Sequence, residues 1–250
     1  MSTPLYKEIR NKYYNADSPV TSVSGTSGKQ SKEDEPLTYI GTDESGKGDY
    51  FGPLIIAGTG VDSSTAEALR KIGVRDSKQL NDSDISRLYP LILGICKDNY
   101  NIITINPPKY NELYAKIKNL NKLLAWGHAK TIENILTKKN YPQAISDKFG
   151  DESYIINSLQ KLGKQINLHQ VTKAERYTAV AAASILARHT FNSWFINSKS
   201  KYGFELRKGA SKEVEKLAGI IIKERGVDYL SSIAKVHFKT TVSANNLFNQ

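Results

Sequence analysis

Apolar and polar residues along the first third of the globular part predict a β-hairpin. Residues 37–42 and 53–61 have the pattern of strands, and a glycine-rich segment, residues 45–52, lies between them. Because glycine-rich segments between two strand patterns are typical of turns, we expect the two strands to pair in antiparallel fashion. Residues 100–105 predict a third strand.

Helical patterns alternate with short strands in the rest of the chain. Strands are predicted at 142–147, which ends on an acidic residue, and at 165–169. The 3.6-residue period predicts helices over 81–98, 107–118, 121–139, 173–196 and 211–225. Pro90 is expected to bend or interrupt the first of these helices. Strands followed by alternating strands and helices favour an α/β fold, a mixed sheet flanked by helices with a helical C-terminal part.

The N-terminal segment differs in composition from the rest. Residues 15–36 are rich in Ser, Thr, Gly, Lys and Glu and almost free of bulky apolar residues, which is typical of a disordered linker. Residues 5–14 before it could form a short basic helix or fray. We therefore predict a flexible basic segment over residues 1–36 and one folded domain over residues 37–250.

The charge balance favours a polyanionic partner. The chain has 35 Lys and Arg against 25 Asp and Glu, a net charge of +10, and cations that neutralise phosphates release counterions. Its one cysteine, Cys96, excludes an internal disulfide and fits a reducing compartment. No apolar run approaches the ~18 residues of a membrane helix, and residues 1–10 lack the core of a secretory signal. We expect a cytoplasmic protein with no membrane partner.

The predicted hairpin turn carries the candidate chemistry. Asp43 and Glu44 end the first predicted strand, and Gly46, Lys47 and Gly48 follow. Mg²⁺ prefers oxygen ligands and keeps several waters, so one or two carboxylates plus substrate phosphate oxygens suffice to hold it. Glycines let backbone amides approach a sugar–phosphate backbone, and Lys47 adds positive charge. Adjacent strand residues normally point to opposite faces, but a twist at the strand end would let both acids serve one site.

Two other interpretations of this turn are a nucleotide-binding loop and an ordinary solvated turn. The spacing of Gly41, Gly46 and Lys47 matches most of a nucleotide-binding phosphate loop, but Gly48 stands where that loop needs Ser or Thr for magnesium. Asp43 and Glu44 would also repel the phosphates. An ordinary solvated turn remains the alternative, although the apolar residues on both sides make it less natural.

The motif Asp43-Glu44-Ser-Gly46-Lys47-Gly48, with Gly-Pro at 52–53, resembles the signature turn of the type 2 and type 3 ribonucleases H. Lysine between the two glycines is similar to type 3, whereas type 2 enzymes usually have arginine there. Further segments resemble the same family and occur in its order: 76–80, 121–128, 173–188, 208–211 and 234–240. The resemblance covers residues 37–241 and implies a ribonuclease H-like catalytic domain.

The resemblance implies four acids around two metal ions, Mg²⁺ or Mn²⁺. Asp43 and Glu44 match the first two, and Asp147, at the end of a predicted strand, is favoured as the third over Asp151 and Glu152, which follow in a predicted loop. Glu175 matches the fourth, where type 2 enzymes usually have Asp. Glu175 could instead close a helix capping box that begins at residue 172.

The implied reaction is two-metal hydrolysis of the RNA strand of an RNA–DNA hybrid, which leaves 5′-phosphate and 3′-hydroxyl ends. Gly46, Lys47 and Gly48 would lie against the 2′-hydroxyl, the group that distinguishes RNA from DNA. Lys78 would contact a phosphate or remain a surface lysine. The alternatives are incision at single ribonucleotides in DNA, as in type 2 enzymes, and a hybrid-binding protein that does not cut.

The chain departs from type 3 enzymes at its N-terminus. Those enzymes typically carry an N-terminal substrate-binding domain, whereas this chain has about 36 residues before the predicted core. Either that domain is missing or the basic segment around Lys7, Arg10 and Lys12 serves in its place. A monomer is expected because a core of this kind completes its site without a partner.

Overall fold

The computed structural model describes residues 35–248 of the chain. Within this range five strands form one mixed sheet in the order β3-β2-β1-β4-β5. The strands are β1 Thr38–Ser45, β2 Leu54–Asp62, β3 Tyr100–Ile105, β4 Gln143–Asp147 and β5 Asn167–Val171. The helices are α1 Ser63–Lys71, α2 Asp82–Cys96, α3 Pro107–Ile117, α4 Leu120–Leu136, α5 Ser153–Ser158, α6 Thr178–Ile196, α7 Ser198–Tyr202, α8 Lys212–Ile233 and α9 Lys239–Phe248. The predicted fold class is confirmed.

Strand β1 lies at the centre of the sheet and determines where the acids emerge. It pairs in antiparallel fashion with β2, which confirms the predicted hairpin, and in parallel with β4. In the parallel pair Thr42 lies opposite Ser146. The residues that follow, Asp43 and Asp147, therefore lie side by side at the carboxyl end of this parallel pair.

Helices α6 and α4 cover opposite faces of the sheet. Tyr39 packs in the apolar cluster of α6, whereas its neighbour Ile40 packs in the cluster of α4. Gly41 allows α6 to approach closely, since a Cβ at this position would lie 2.3 Å from the backbone nitrogen of Val180. Because side chains alternate between the two faces of a strand, successive residues of β1 face α6 and α4 in turn.

The C-terminal helices form a third apolar cluster with the segment between β1 and β2. Tyr50 and Phe51 are fully buried in this cluster beside residues of α8 and α9. Phe51 also forms an isolated antiparallel bridge with Ala234. In α8 the backbone of Gly226 is non-helical, with φ of 85°, so this helix is kinked. The glycine turn is therefore supported by the C-terminal part of the chain.

Two helix predictions are wrong in detail. Helix α2 continues through Pro90, so of the two expected effects the interruption is absent, and Leu88 and Ile92 on either side of the proline are buried in the core. The helix predicted from residue 173 begins at Thr178, because Lys173 has a left-handed φ of 57° and Ala174–Arg176 form a 3₁₀ turn. The capping box that was the alternative role of Glu175 does not form, since Glu175 lies ahead of the helix and no side chain caps its turn.

Helices α1, α5, α7 and α9 were not predicted from the sequence pattern. For α1 the signal is local, since Asp62 ends β2 and also caps the helix by accepting a 2.9 Å hydrogen bond from the Thr65 N–H. The predicted N-terminal segment lies almost entirely outside the described residues and stays a prediction. Among the helices described, none is both long and apolar enough to cross a membrane.

Candidate active site

Four acids predicted as catalytic lie at the ends of neighbouring elements. Asp43 and Glu44 are near the end of β1, Asp147 is the last residue of β4, and Glu175 lies in the 3₁₀ turn that precedes α6. The N–H of Ala174 donates a 3.2 Å hydrogen bond to Asp147 Oδ1, so this carboxylate holds the turn that carries Glu175. The elements thus bring the four acids to one edge of the sheet.

Asp43 is directed towards α6. It is partly buried, accepts a 2.8 Å hydrogen bond from the Glu44 N–H and is hydrogen-bonded to Ser184. Burial and the negative charges of Glu44 and Asp147 raise the pKa of Asp43 to about 7, against the effect of the two hydrogen bonds. Several carboxylates therefore crowd together here, and a divalent cation would relieve their repulsion.

Glu44 is directed to the opposite face, towards α4. Regular pairing of β1 with β2 continues through Ser45, so the expected twist at the strand end is not seen. Glu44 Oε2 lies 3.1 Å from His128 Nε2, and Oε1 lies 3.4 Å from Lys47 Nζ. Burial opposes ionisation, but His128 and then Lys47 outweigh it and lower the pKa of Glu44.

His128 was not predicted as part of the site. It is fully buried, its Nδ1 lies 2.9 Å from Thr42 Oγ1, and its ring stacks on Phe149 at 5.1 Å between centroids. Ser146 Oγ is a further neighbour, 3.4 Å from Nδ1. The sequence signal was its place in the segment 121–128 of the family resemblance, but its contact with Glu44 requires the folded sheet.

Lys78 lies beside the fourth acid. Its Nζ is 3.4 Å from Glu175 Oε1, and its side chain is 79% exposed. Lys78 belongs to a 3₁₀ turn, Ser77–Gln79, which Asp76 caps by accepting from the Lys78 N–H. A hydrogen bond of 2.7 Å between Ser77 Oγ and Ser184 Oγ holds this turn against α6. An exposed cation is thus positioned next to the acids.

The two glycines of the turn have different surroundings. Gly46 has a left-handed φ of 86°, and a Cβ there would lie 2.3 Å from the carbonyl oxygen of Pro53. Gly48 is exposed, and no described atom lies within 4 Å of a Cβ built on it. Gly46 is therefore required by the fold, whereas Gly48 leaves its backbone open to a ligand.

A buried lysine anchors the far end of this turn. Lys235 is fully buried, and its Nζ donates hydrogen bonds of 2.7 Å to the carbonyl oxygens of Asp49 and Gly52. Burial lowers the pKa of Lys235 to about 7, while the charge of Asp49 opposes that change. The Asp49 carboxylate in turn accepts a 2.6 Å hydrogen bond from the Gly209 N–H. From the sequence, Lys235 stood out only as part of the family segment 234–240, and its burial against this turn was not predicted.

The donor set fits a hard divalent cation that remains open to water and substrate. In the part of the chain that the structure describes, no three or more His, Cys, Asp or Glu side chains form a group that could hold a metal ion on its own. The candidate ligands are carboxylate oxygens, which Mg²⁺ and Mn²⁺ prefer, and Mg²⁺ usually binds one or two carboxylates plus substrate phosphates. The crowding around Asp43 supplies the negative charge that such an ion needs.

Comparison with known proteins identifies relatives over most of the chain. The family model for ribonuclease HII matches residues 40–241. Ribonuclease HIII of Protochlamydia amoebophila is 44% identical over 202 residues, which cover 81% of this chain and 66% of the relative. Ribonuclease HIII of Chlamydia pneumoniae is 45% identical over 206 residues, which cover 80% and 68%. The chain thus matches about two-thirds of the length of these relatives.

Solved structures agree in fold. Bst-RNase HIII in complex with Mn²⁺ superposes with a TM-score of 0.78 at 32% identity, covering 85% of this chain and 70% of that one. Ribonuclease H2 from Pyrococcus horikoshii superposes with a TM-score of 0.72 at 26% identity, covering 86% and 100%. Because the family model matches residues 40–241, which are most of this chain, the chain belongs to the ribonuclease HII family and is similar to its ribonuclease HIII members.

Proposed function

We propose that this protein is an endonuclease that hydrolyses the RNA strand of RNA–DNA hybrids and leaves 5′-phosphate and 3′-hydroxyl ends. The observation that carries the proposal is the gathering of four acids at one sheet edge, beside a glycine turn with an open backbone. Membership of a ribonuclease H family supports it. The Mn²⁺ complex of Bst-RNase HIII supports a dependence on divalent metal.

Asp43, Glu44, Asp147 and Glu175 are the residues that would hold two ions, Mg²⁺ or Mn²⁺. When bound there, such ions would supply Lewis acidity at the scissile phosphate and to the attacking water. Ser184 and His128 keep the first two carboxylates in place from opposite faces of the sheet. The protein's own contribution is thus a set of carboxylates held in fixed positions.

Recognition of the ribonucleotide is assigned to the turn. The exposed backbone of Gly48 can approach a sugar without hindrance from a side chain, and hydrogen bonds to a 2′-hydroxyl would distinguish RNA from DNA. Gly46 shapes the turn, and Lys47 and Lys78 place positive charge on either side of the acids for substrate phosphates. In this proposal the glycine turn distinguishes the RNA strand from the DNA strand, and the four acids hold the ions that are needed for its cleavage.

A second candidate is incision at single ribonucleotides in duplex DNA. The ribonuclease HII family model and the full coverage of the Pyrococcus horikoshii ribonuclease H2 chain favour it. Type 2 enzymes read the RNA–DNA junction with a tyrosine in their C-terminal part, where this chain has Tyr202 and Tyr229. The Tyr229 hydroxyl donates to the carbonyl oxygen of Tyr202 at 2.7 Å. We favour the RNA–DNA hybrid as substrate because the relatives at 44% and 45% identity are ribonucleases HIII. A cytoplasmic monomer remains part of the proposal.

The decisive assay offers two end-labelled duplexes with Mg²⁺ and then with Mn²⁺. One duplex pairs an all-RNA strand with DNA, and the other is DNA that contains a single ribonucleotide. We expect several cuts in the hybrid and little cleavage at the single ribonucleotide. Efficient cutting beside the single ribonucleotide would assign the second function, and hybrid binding without cleavage of either duplex would leave a binding protein.

A further inference from the structure

We propose that Phe149 is a positioning residue for Glu44, because its ring contacts both of the side chains that hold this carboxylate. The Phe149 ring stacks on the His128 ring at 5.1 Å between centroids, and Lys47 Nζ lies 5.6 Å from the Phe149 centroid. The inference rests on the proposed function, in which Glu44 is a metal ligand. It adds a residue that acts on this ligand through two neighbours.

Each oxygen of Glu44 has one of these neighbours as its partner. Oε2 lies 3.1 Å from His128 Nε2, and Oε1 lies 3.4 Å from Lys47 Nζ. His128 belongs to α4, whereas Lys47 belongs to the glycine turn. The direction of the carboxylate therefore depends on two side chains that come from separate parts of the fold.

The contact between Lys47 and Glu44 is weak without further support. At 3.4 Å it is longer than the distance of about 2.7–2.9 Å that is typical of an ammonium–carboxylate hydrogen bond. The Lys47 side chain is 38% exposed, so water competes for it and many rotamers are open to it. A cation within about 6 Å of an aromatic centroid is attracted to the face of the ring. Phe149 thus favours the position in which Lys47 faces Glu44.

The imidazole of His128 receives support of another kind. Its Nδ1 lies 2.9 Å from Thr42 Oγ1, so both ring nitrogens have a hydrogen-bonding partner. Contacts at the two nitrogens leave the ring able to tilt about the line that joins them. Phe149 lies against the ring at an interplanar angle of 30° and restricts this tilt.

The loop that follows β4 and the third acid brings Phe149 to these neighbours. Its ring is half-buried against the apolar cluster of α4. On one side of it the Lys148 N–H donates a 3.1 Å hydrogen bond to the carbonyl oxygen of Val171. On the other side a Cβ at Gly150 would lie 3.0 Å from Asn121 Nδ2, near the start of α4. The loop is thus held on both sides of Phe149.

An ordinary apolar contact is the alternative role of Phe149. A ring that only fills the apolar cluster would contribute to stability and leave the metal site of the folded protein unchanged. A ring that acts through His128 and Lys47 would change Mn²⁺ binding, and its effect would shrink once either neighbour is replaced. Measurements of Mn²⁺ binding to folded protein therefore separate the two roles.

The test measures Mn²⁺ binding without nucleic acid, through the electron paramagnetic resonance signal of the free ion. Wild-type protein is compared with Phe149→Leu, which removes the ring, and with Phe149→Tyr, which keeps it. Tyr154→Leu is the matched control, because Tyr154 is another half-buried ring packed against the same apolar cluster. Phe149→Leu is also combined with His128→Ala and, separately, with Lys47→Met. Hybrid cleavage by the same proteins is followed as the Mn²⁺ concentration is raised.

We expect Phe149→Leu to weaken Mn²⁺ binding on the order of tenfold, the lower end of the effect for partners of metal ligands. Half-maximal cleavage should need a correspondingly higher Mn²⁺ concentration. Phe149→Tyr and Tyr154→Leu should bind Mn²⁺ like the wild type. In the His128→Ala and Lys47→Met proteins the further loss from Phe149→Leu should be smaller than in the wild type, because part of the route to Glu44 is already absent.

Three outcomes would overturn the positioning role. They are wild-type Mn²⁺ binding by folded Phe149→Leu protein, an undiminished further loss in the His128→Ala protein, and a wild-type protein that binds no Mn²⁺. Thermal unfolding of each variant separates lost binding from lost folding. Failure of the proposed nuclease activity would appear differently, as Mn²⁺ binding that depends on Phe149 in a protein that cleaves no hybrid.

Discussion

Asp43 and Glu44 are neighbours in the chain, yet their side chains are held from opposite faces of the sheet. Ser184 of α6 contacts Asp43, and His128 of α4 contacts Glu44. The sequence indicated the acids because they end an apolar strand before a glycine turn. It could not indicate His128, since that contact depends on how α4 crosses β1. At the residue scale, the helices on both faces therefore position the acids.

Replacement of His128 by alanine should lower the cleavage rate by more than any loss of folded protein can explain. The variant removes the donor that fixes Glu44, and partners of metal ligands typically contribute 10- to 100-fold to activity or metal affinity. We expect a loss of that order in hybrid cleavage, together with weaker activation by Mn²⁺. His169→Ala, at an exposed position on β5, is the control. Wild-type cleavage by folded His128→Ala protein would refute the positioning role.

The choice of Asp147 over Asp151 can be tested by a pair of matched substitutions. Asp147 ends β4 and accepts from the Ala174 N–H, whereas Asp151 is exposed and accepts a 2.8 Å hydrogen bond from the Ser153 N–H. Asp147→Asn should lower cleavage by more than about 100-fold, the upper end for partners of a ligand. Asp151→Asn should cleave normally and lose at most about 1 kcal/mol of stability, as for a weakened cap. The reverse ranking would move the third acid to Asp151.

At the scale of elements, all five strands were predicted, although β1 extends three residues further than predicted and β5 is shifted by two residues. The third predicted strand matches Tyr100–Ile105, and β4 differs from its prediction by one residue. The start of α6 was missed because the left-handed backbone of Lys173 inserts a separate turn before it. That turn is what carries Glu175 to the acids, so the local departure from helical pattern belongs to the site.

Alanine substitutions in the glycine turn should separate folding from recognition. Gly46→Ala places a methyl group 2.3 Å from the Pro53 carbonyl at a left-handed φ, so we expect about 2 kcal/mol or more of destabilisation. Gly48→Ala meets open space and should melt like the wild type, while its methyl group obstructs the approach of the sugar. Melting curves and hybrid cleavage by both variants provide the test. Full activity of Gly48→Ala would remove this residue from the substrate site.

Lys235→Met should loosen the same turn from its other end. The substitution leaves the carbonyl groups of Asp49 and Gly52 buried without their shared donor, and each such group costs about 1–3 kcal/mol. We expect a stability loss of about 2–4 kcal/mol in denaturant titrations, and a raised KM for the hybrid in the fraction that is folded. Lys239→Met, at an exposed position at the start of α9, should change neither. Unchanged stability of Lys235→Met would contradict the anchoring role.

In the described part of the molecule, four acids that are spread over more than 130 residues of the sequence lie at one edge of the sheet. The parallel pairing of β1 with β4 places Asp147 beside Asp43, and the C-terminal helices support the turn through Lys235. The sequence pattern predicted the mixed sheet, but the pairing of β1 with β4 and the burial of Lys235 are consequences of tertiary packing. The net charge of +10 fits a nucleic-acid substrate at the scale of the whole chain.

In the proposed function, the four acids are required for cleavage of the hybrid, whereas the rest of the protein binds it. The most direct measurement compares wild-type and Asp43→Asn protein on the same RNA–DNA hybrid, with binding and single-turnover cleavage followed in Mg²⁺ and Mn²⁺. We predict that Asp43→Asn binds at least as tightly as the wild type, because a negative charge has been removed, and that its cleavage falls by more than about 100-fold. Cleavage by Asp43→Asn at the wild-type rate would contradict the account.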